Sequence, residues 1–192
     1  MRVIAGTYRS RPIAAPRGTE TRPTSDRLRE TLFNILAQRI EGSRFADLYA
    51  GSGAVGIEAI SRGAEFVLFS ENAASATAAI RANLTSLGIR QNFTVEPGGT
   101  STALKQAIRR NISFDIVFLD PPYEADAEYT RTLLTLGGEA HTSLLAPDAV
   151  VIAEHSRKQS FLPRYGDLEH YRTHKQGDAA LSFYRIARAE SR

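Results

Sequence analysis

The 192-residue chain contains no cysteine, which excludes disulfides, thiolate metal sites and cysteine nucleophiles. No apolar run approaches the length of a membrane span. The first residues, Met1 to Gly6, turn polar too soon for a signal peptide, so we expect a cytoplasmic protein that does not contact a membrane. The chain length and the hydrophobic fraction of 42% are typical of one globular domain.

Histidine is also scarce, with four residues in the chain. His170 and His174 are spaced four apart, but the segment is predicted to be a strand and no third ligand is in view. We therefore predict no metal site.

Positive charge is concentrated at the start of the chain. Residues 1–30 hold seven arginines and three acids, a balance of +4, although the formal net charge of the whole chain is only +3. A basic arm on a nearly neutral body is typical of a polyanion contact, because arginines that meet phosphates release condensed counterions. A solvated surface is the alternative. The predicted contacts are Arg9, Arg11, Arg22, Arg27 and Arg29.

The basic segment is predicted to form an extension followed by a helix. Short apolar pieces at 2–5 and 11–14 indicate a small hairpin, and the prolines between residues 16 and 23 disfavour helix. Thr24 or Ser25 is expected to cap the helix. Its buried stripe is predicted to consist of Leu28, Leu32, Ile35 and Leu36. Arg27 and Arg29 lie off this stripe and are predicted to face a partner, the alternative being pairing with acids along the helix. We accordingly predict an N-terminal extension over 1–23 and a main domain over 24–192.

A strand, a glycine turn and a helix follow, in the order typical of nucleotide-binding folds. Gly51, Gly53 and Gly56 have the spacing of a dinucleotide fingerprint, and Glu71 lies where a ribose-binding acid is expected. A nicotinamide enzyme is therefore one interpretation. Asp47 favours S-adenosylmethionine, because a carboxylate just before the glycines attracts a cationic amino group but repels a pyrophosphate.

A second motif, Asp120-Pro121-Pro122-Tyr123, follows an apolar strand over 115–119. Ligands bind at the carboxyl ends of strands in open α/β sheets. The Asp120 carboxylate and the Pro121 carbonyl offer acceptors to both N–H groups of an exocyclic amine, and Tyr123 offers a stacking surface for a nucleobase. Such acceptors turn the amine lone pair toward an electrophile and help its proton leave. The motif therefore indicates amine methylation, and a rigid turn is the alternative.

The remaining pattern predicts a mostly parallel α/β sheet that ends in an antiparallel hairpin. Expected strands cover 65–70, 93–95, 149–154, 168–174 and 181–187, and expected helices cover 73–87, 101–110 and 125–136.

With these motifs, the sequence resembles the bacterial 16S ribosomal RNA guanine-N2 methyltransferases of the RsmD type over nearly its whole length. The segment most specific to that family is Arg22-Pro23-Thr24-Ser25-Asp26-Arg27. The resemblance implies a Rossmann-like class I methyltransferase fold and S-adenosylmethionine as methyl donor. It also implies a guanine of 16S RNA as acceptor, within the small ribosomal subunit or an assembly intermediate. The predicted donor-binding residues are Asp47, Tyr49, Gly51, Ser52, Gly53, Glu71 and Asn72, the predicted catalytic residues are Asp120, Pro121, Pro122 and Tyr123, and the arginines named above would contact RNA.

The sequence departs from the family pattern after the third strand. The stretch Glu96-Pro97-Gly98-Gly99-Thr100 has no carboxylate at the position that usually reads the adenine amine, so adenine recognition is expected to use backbone groups or a hydroxyl. The alternatives left open are a DNA or protein amine methyltransferase and a nucleotide-binding RNA module without catalysis.

Overall fold

The structure, a computed structural model, describes residues 1–16, 24–122, 126–139 and 141–187, with only the backbone at residue 141. The chain forms two compact units, Met1–Ala103 and Leu104–Arg192. Among the described helices, none is long and apolar enough to cross a membrane. The predicted boundary between residues 23 and 24 borders the undescribed segment 17–23 and stays a prediction.

The first unit is built from parallel strands that alternate with helices. Its strand order is β3-β2-β1, and both neighbouring pairs run parallel. The elements are α1 (Asp26–Ile40), β1 (Arg44–Leu48), α2 (Ala54–Ser61), β2 (Phe66–Ser70), α3 (Ala74–Leu87) and β3 (Phe93–Glu96). A further helix, α4 (Gly99–Arg109), starts at the end of this unit and continues into the second.

Helix α1 begins and packs as its sequence predicts. Ser25 is the N-cap, and its side-chain oxygen accepts a hydrogen bond from the Leu28 amide at 3.1 Å. Leu28, Leu32 and Leu36 are buried, as is Phe33, whereas Ile35 is half-buried. The apolar stripe is thus confirmed at three of its four predicted residues, and the buried face also includes Phe33.

The described part of the N-terminal extension, residues 1–16, is here called the N-terminal arm. Arg2 and Pro12 form an antiparallel bridge, and the Val3 amide donates to the Arg11 carbonyl at 2.9 Å, so the predicted hairpin is confirmed. The hairpin is fixed to α2, where the Glu58 carboxylate accepts hydrogen bonds from the Ile4 and Ala5 amides. The arm is therefore packed onto the first unit.

The second unit combines one parallel strand pair with an antiparallel C-terminal sheet. Strand β4 is parallel to β5, and the antiparallel pairs are β5 with β8, β8 with β7, and β7 with β6. The predicted mixture of parallel strands and an antiparallel C-terminal hairpin is confirmed. Its elements are β4 (Phe114–Leu119), α5 (Asp126–Gly137), α6 (His141–Leu144), β5 (Leu145–Ser156), β6 (Arg164–Tyr165), β7 (Leu168–Gln176) and β8 (Ala179–Ile186).

Candidate functional site

The donor loop, defined as residues 49–53, connects β1 to α2. Tyr49, Gly51 and Gly53 all have positive φ, at 63°, 55° and 76°. Glycine adopts positive φ without steric cost, whereas in Tyr49 the same conformation is strained. Such strain in a non-glycine residue is frequent at functional sites. Gly53 is also the N-cap of α2, so the helix begins directly after the loop.

Gly56 permits close packing between α2 and β2. A Cβ atom at this position would lie 2.3 Å from the ring of Phe69, which is completely buried. This matches the role of the third glycine in nucleotide-binding turns, where it allows the helix to approach the sheet.

Asp47 lies in β1 just before the donor loop and is 1% exposed. One oxygen, Oδ2, accepts a hydrogen bond from the Gly56 amide at 2.8 Å. Burial raises the pKa of Asp47 to about 8; the Gly56 hydrogen bond opposes this rise, and the charge of Glu71 adds to it. A buried carboxyl of this kind favours a cationic ligand group, because a nearby positive charge stabilises its ionised form.

Glu71, the residue after β2, accepts a hydrogen bond from the same loop. Its Oε2 accepts from the Gly51 amide at 2.9 Å and its Oε1 from the Ala73 amide at 2.8 Å. An ionised carboxylate has about four acceptor positions, so lone pairs remain for ligand hydroxyls. The neighbouring Asn72 is exposed and lies beside Gly99, where an added Cβ atom would be 3.4 Å from the Asn72 Cβ.

Glu96, the last residue of β3, is half-buried and bonds within the turn that follows the strand. Glu96 Oε1 accepts from the Gly98 amide at 2.9 Å, so this carboxylate closes its own turn. Thr100 is buried, and its hydroxyl lies 3.5 Å from that of Ser70. Adenine recognition by backbone groups or a hydroxyl of this stretch stays a prediction.

The acceptor corner, defined as residues 120–123, follows β4 in the second unit. Pairing between β4 and β5 stops at Leu119 and Ala153, after which Asp120 is half-buried, Pro121 is buried and Pro122 is exposed. Tyr129 of α5 is 1% exposed, and its hydroxyl lies 2.6 Å from the Glu154 carbonyl and 3.3 Å from the Pro121 carbonyl. Pro121 and Pro122 have no N–H for strand pairing. The Tyr129 hydroxyl therefore supplies a hydrogen-bonded link between the corner and β5. Tyr123 lies outside the described residues.

Of the predicted RNA-contacting arginines that the structure describes, three are exposed and one is buried. Arg9, Arg11 and Arg27 are exposed, and Arg11 donates to the Ser86 carbonyl at 3.0 Å. Arg22 lies outside the described residues.

Arg29 corrects the sequence prediction, because its side chain is completely buried and cannot reach a phosphate. It donates to Asp26 Oδ1 at 3.0 Å, which confirms the alternative of pairing with an acid along the helix, and its Nε lies 3.9 Å from Glu58 Oε2. Burial lowers the pKa of Arg29, while the charges of Asp26 and Glu58 oppose that change. The role of Arg29 is therefore structural: it joins α1 to α2 beneath the arm.

The described residues contain no group of three or more histidine, aspartate or glutamate side chains arranged to hold a metal ion.

Comparison with known proteins identifies the family. The family model described as conserved hypothetical protein 95 matches residues 1–185. Ribosomal RNA small subunit methyltransferase D of Escherichia coli K12 is 32% identical over 192 residues, which cover 100% of this chain and 91% of that protein. The chain belongs to the RsmD family.

Solved structures confirm the fold expected for an RsmD family member. The Escherichia coli protein yhhF matches with a TM-score of 0.78 and 30% identity, over 98% of this chain and 99% of that chain. The protein SMU.776, solved in complex with S-adenosylhomocysteine (SAH), matches with a TM-score of 0.58 and 16% identity, over 82% of this chain and 49% of that chain. The predicted class I methyltransferase fold is confirmed, and it favours a methyltransferase over the nicotinamide enzyme.

Proposed function

We propose that this protein transfers a methyl group from S-adenosylmethionine to the exocyclic N2 amine of a guanine in 16S ribosomal RNA. The observation that carries the proposal is that one chain has both a strained glycine turn backed by a buried carboxyl and a diproline corner led by Asp120. Membership of the RsmD family supports the RNA substrate, and the SAH-bound structure with the same fold supports the donor.

The residues of the donor loop fit the donor chemically. The donor carries a cationic amino group, an activated methyl group on a sulfonium sulfur, and two ribose hydroxyls. Asp47 would hold the amino group, because the described residues give its buried carboxyl a backbone amide as donor and no cationic partner. Glu71 would accept from the ribose hydroxyls, with Tyr49, Gly51, Ser52, Gly53 and Asn72 around them.

The acceptor corner supplies the proton acceptor. The guanine amine is a weak nucleophile because its lone pair is delocalised into the ring. Asp120 and the Pro121 carbonyl would accept hydrogen bonds from its two N–H groups. As the N–C bond forms, the bond from the methyl carbon to the sulfonium sulfur would break and leave SAH, and Asp120 would take up the proton released from the amine. Pro121 and Pro122 have no N–H groups that could compete for these acceptors. Tyr123 would stack on the base, with roughly 1–3 kcal/mol per stacked base offsetting part of the unstacking cost.

The experiment compares labelled methyl transfer to RNA, DNA and protein by wild-type protein and Asp120→Ala. Asp120→Ala is expected to lose turnover by about 100-fold or more while the dissociation constant of SAH, measured by calorimetry, stays unchanged. Asp148→Ala, which removes an exposed carboxylate on β5, is the matched control and should retain wild-type turnover. Equal loss of turnover and SAH affinity in Asp120→Ala would contradict the assigned roles. Label in DNA or protein and none in RNA would instead support the other amine methyltransferases.

A further inference from the structure

Asn83, on α3, makes three hydrogen bonds from a side chain that is only 3% exposed. Its Oδ1 accepts from the Ala14 amide at 2.9 Å, and its Nδ2 donates to the Ala14 carbonyl at 2.9 Å and to the Ser52 carbonyl at 3.0 Å. A backbone amide can only donate, so the Ala14 N–H fixes the orientation of the side-chain amide. Asn83 therefore binds two distant segments at once.

One of these segments is the N-terminal arm. Arg11 donates to the Ser86 carbonyl, which lies one helical turn beyond Asn83, so the arm follows α3 over at least these two contacts. Arg9 and Arg11, two of the predicted RNA contacts, lie on the same arm and are exposed.

The other segment is the donor loop. Ser52 lies between the two glycines of positive φ, and its carbonyl points to Asn83. The loop also packs on α3 at Gly53, where a Cβ atom would lie 3.2 Å from the side chain of Ile80. The proposed donor site and the proposed RNA contact thus share one face of α3.

We propose that Asn83 couples the N-terminal arm to the donor loop, so that RNA bound by the arm and donor bound by the loop raise each other's affinity. This inference rests on the proposed function. All three hydrogen bonds persist only while both segments stay in place, so a ligand that orders one segment lowers the cost of ordering the other. Thermodynamic linkage requires the same factor in both directions. Asn83 touches neither ligand in this scheme and acts as a positioning residue.

The experiment measures the dissociation constant of SAH by calorimetry with and without an in vitro transcript of 16S RNA. Wild-type protein is expected to bind SAH at least about fivefold more tightly with the RNA, the lower end of typical allosteric coupling. In Asn83→Ala, the ratio of the SAH dissociation constants without and with RNA is expected to fall to about one. SAH binding is also expected to be weaker than in the wild type without RNA. Should Asn83→Ala fail to fold, Ala14→Pro removes the N–H that donates to Asn83 Oδ1 and also fixes φ at position 14, and a smaller ratio than in the wild type is expected.

Ser61→Ala is the matched control. Ser61 lies at the end of α2, and its hydroxyl fixes the arm there through Ala5 and Tyr8, both of which lie outside the donor loop. The substitution is expected to weaken RNA binding while SAH binding without RNA stays at the wild-type value. The coupling would be overturned if RNA did not change the SAH dissociation constant of the wild-type protein, or if RNA changed it equally in Asn83→Ala. Either result would leave the proposed methyl transfer untouched. Absence of RNA binding by the wild-type protein would overturn the proposed function and the coupling with it.

Discussion

At the residue scale, the carboxyl of Asp47 has a charge state determined by its surroundings. Its pKa is raised to about 8 from an ordinary value of 3.8, chiefly by burial. In the unfolded chain the carboxyl loses its proton near pH 4, whereas in the folded chain it keeps the proton to about pH 8. The folded state therefore binds more protons in this window, and the contribution of Asp47 to the free energy of unfolding falls as pH rises through it.

We predict that Asp47→Asn removes this pH dependence. The amide keeps an acceptor for the Gly56 N–H but does not ionise. The difference in free energy of unfolding, wild type minus variant, should decrease with rising pH by up to about 1.4 kcal/mol per pH unit between pH 5 and pH 7. Urea unfolding without ligand at several pH values measures it, and titrating groups that do not interact with Asp47 cancel in the difference. A difference that is constant over this range would contradict the raised pKa.

Arg29 shows what residue patterns cannot reveal. Its position beside Arg27, off the apolar stripe of α1, suggests a surface arginine. Its nearer ion-pair partner, Asp26 at 3.0 Å, lies on the same helix, as the alternative of pairing along the helix predicts. What the pattern does not show is the contact across elements, where Arg29 also donates to the Arg2 carbonyl and lies 3.9 Å from Glu58 of α2. Pairing between helices has no periodic signature in the sequence, so only the fold could separate Arg29 from its exposed neighbour.

At the element scale, the packing of α2 on β2 depends on the missing side chain of Gly56. We predict that Gly56→Ala lowers the free energy of unfolding by about 1–3 kcal/mol, because the new methyl group would overlap the buried Phe69 ring. This cost exceeds the gain in helix propensity, which is at most about 1 kcal/mol. Chemical denaturation measures the change.

A double-mutant cycle with Phe69→Leu is the control for that prediction. Removing the ring should make Gly56→Ala less costly, since the methyl group then has room. An equal cost of Gly56→Ala in both backgrounds would show that the contact with Phe69 is not its cause.

The elements that could be predicted from sequence are those with local signals. The cap at Ser25, the glycine turn and the final hairpin each lie within a few residues of the feature that specifies them. The two-residue strand β6 and the four-residue helix α6 are too short to have a periodic pattern, and the sequence does not predict them. The bonds of Tyr129 to the acceptor corner also escape prediction, because they depend on how α5 packs on β5.

At the scale of the whole molecule, the exposed arginines near the start of the chain are the proposed RNA contacts. We predict that replacing Arg9, Arg11 and Arg27 together by glutamine weakens binding to 16S RNA and lowers the slope of log affinity against log salt by about 2–3. Filter binding or fluorescence anisotropy at several salt concentrations measures both quantities.

The matched control replaces three exposed arginines from elsewhere on the chain, Arg109, Arg110 and Arg131, by glutamine. Net charge falls equally in both triple variants, so a general charge effect would change both alike. The control is expected to keep a salt slope within about one unit of wild type. Equal salt slopes in the two variants would show that Arg9, Arg11 and Arg27 are solvated surface residues and do not contact RNA.

The most direct test of the proposed methyl transfer is mass spectrometry of nucleosides from 16S RNA after incubation with the protein and S-adenosylmethionine. We expect N2-methylguanosine, about one per RNA molecule, from wild-type protein and none from Asp120→Ala. A methyl group on another base, on a ring nitrogen of guanine or on ribose would contradict the proposal.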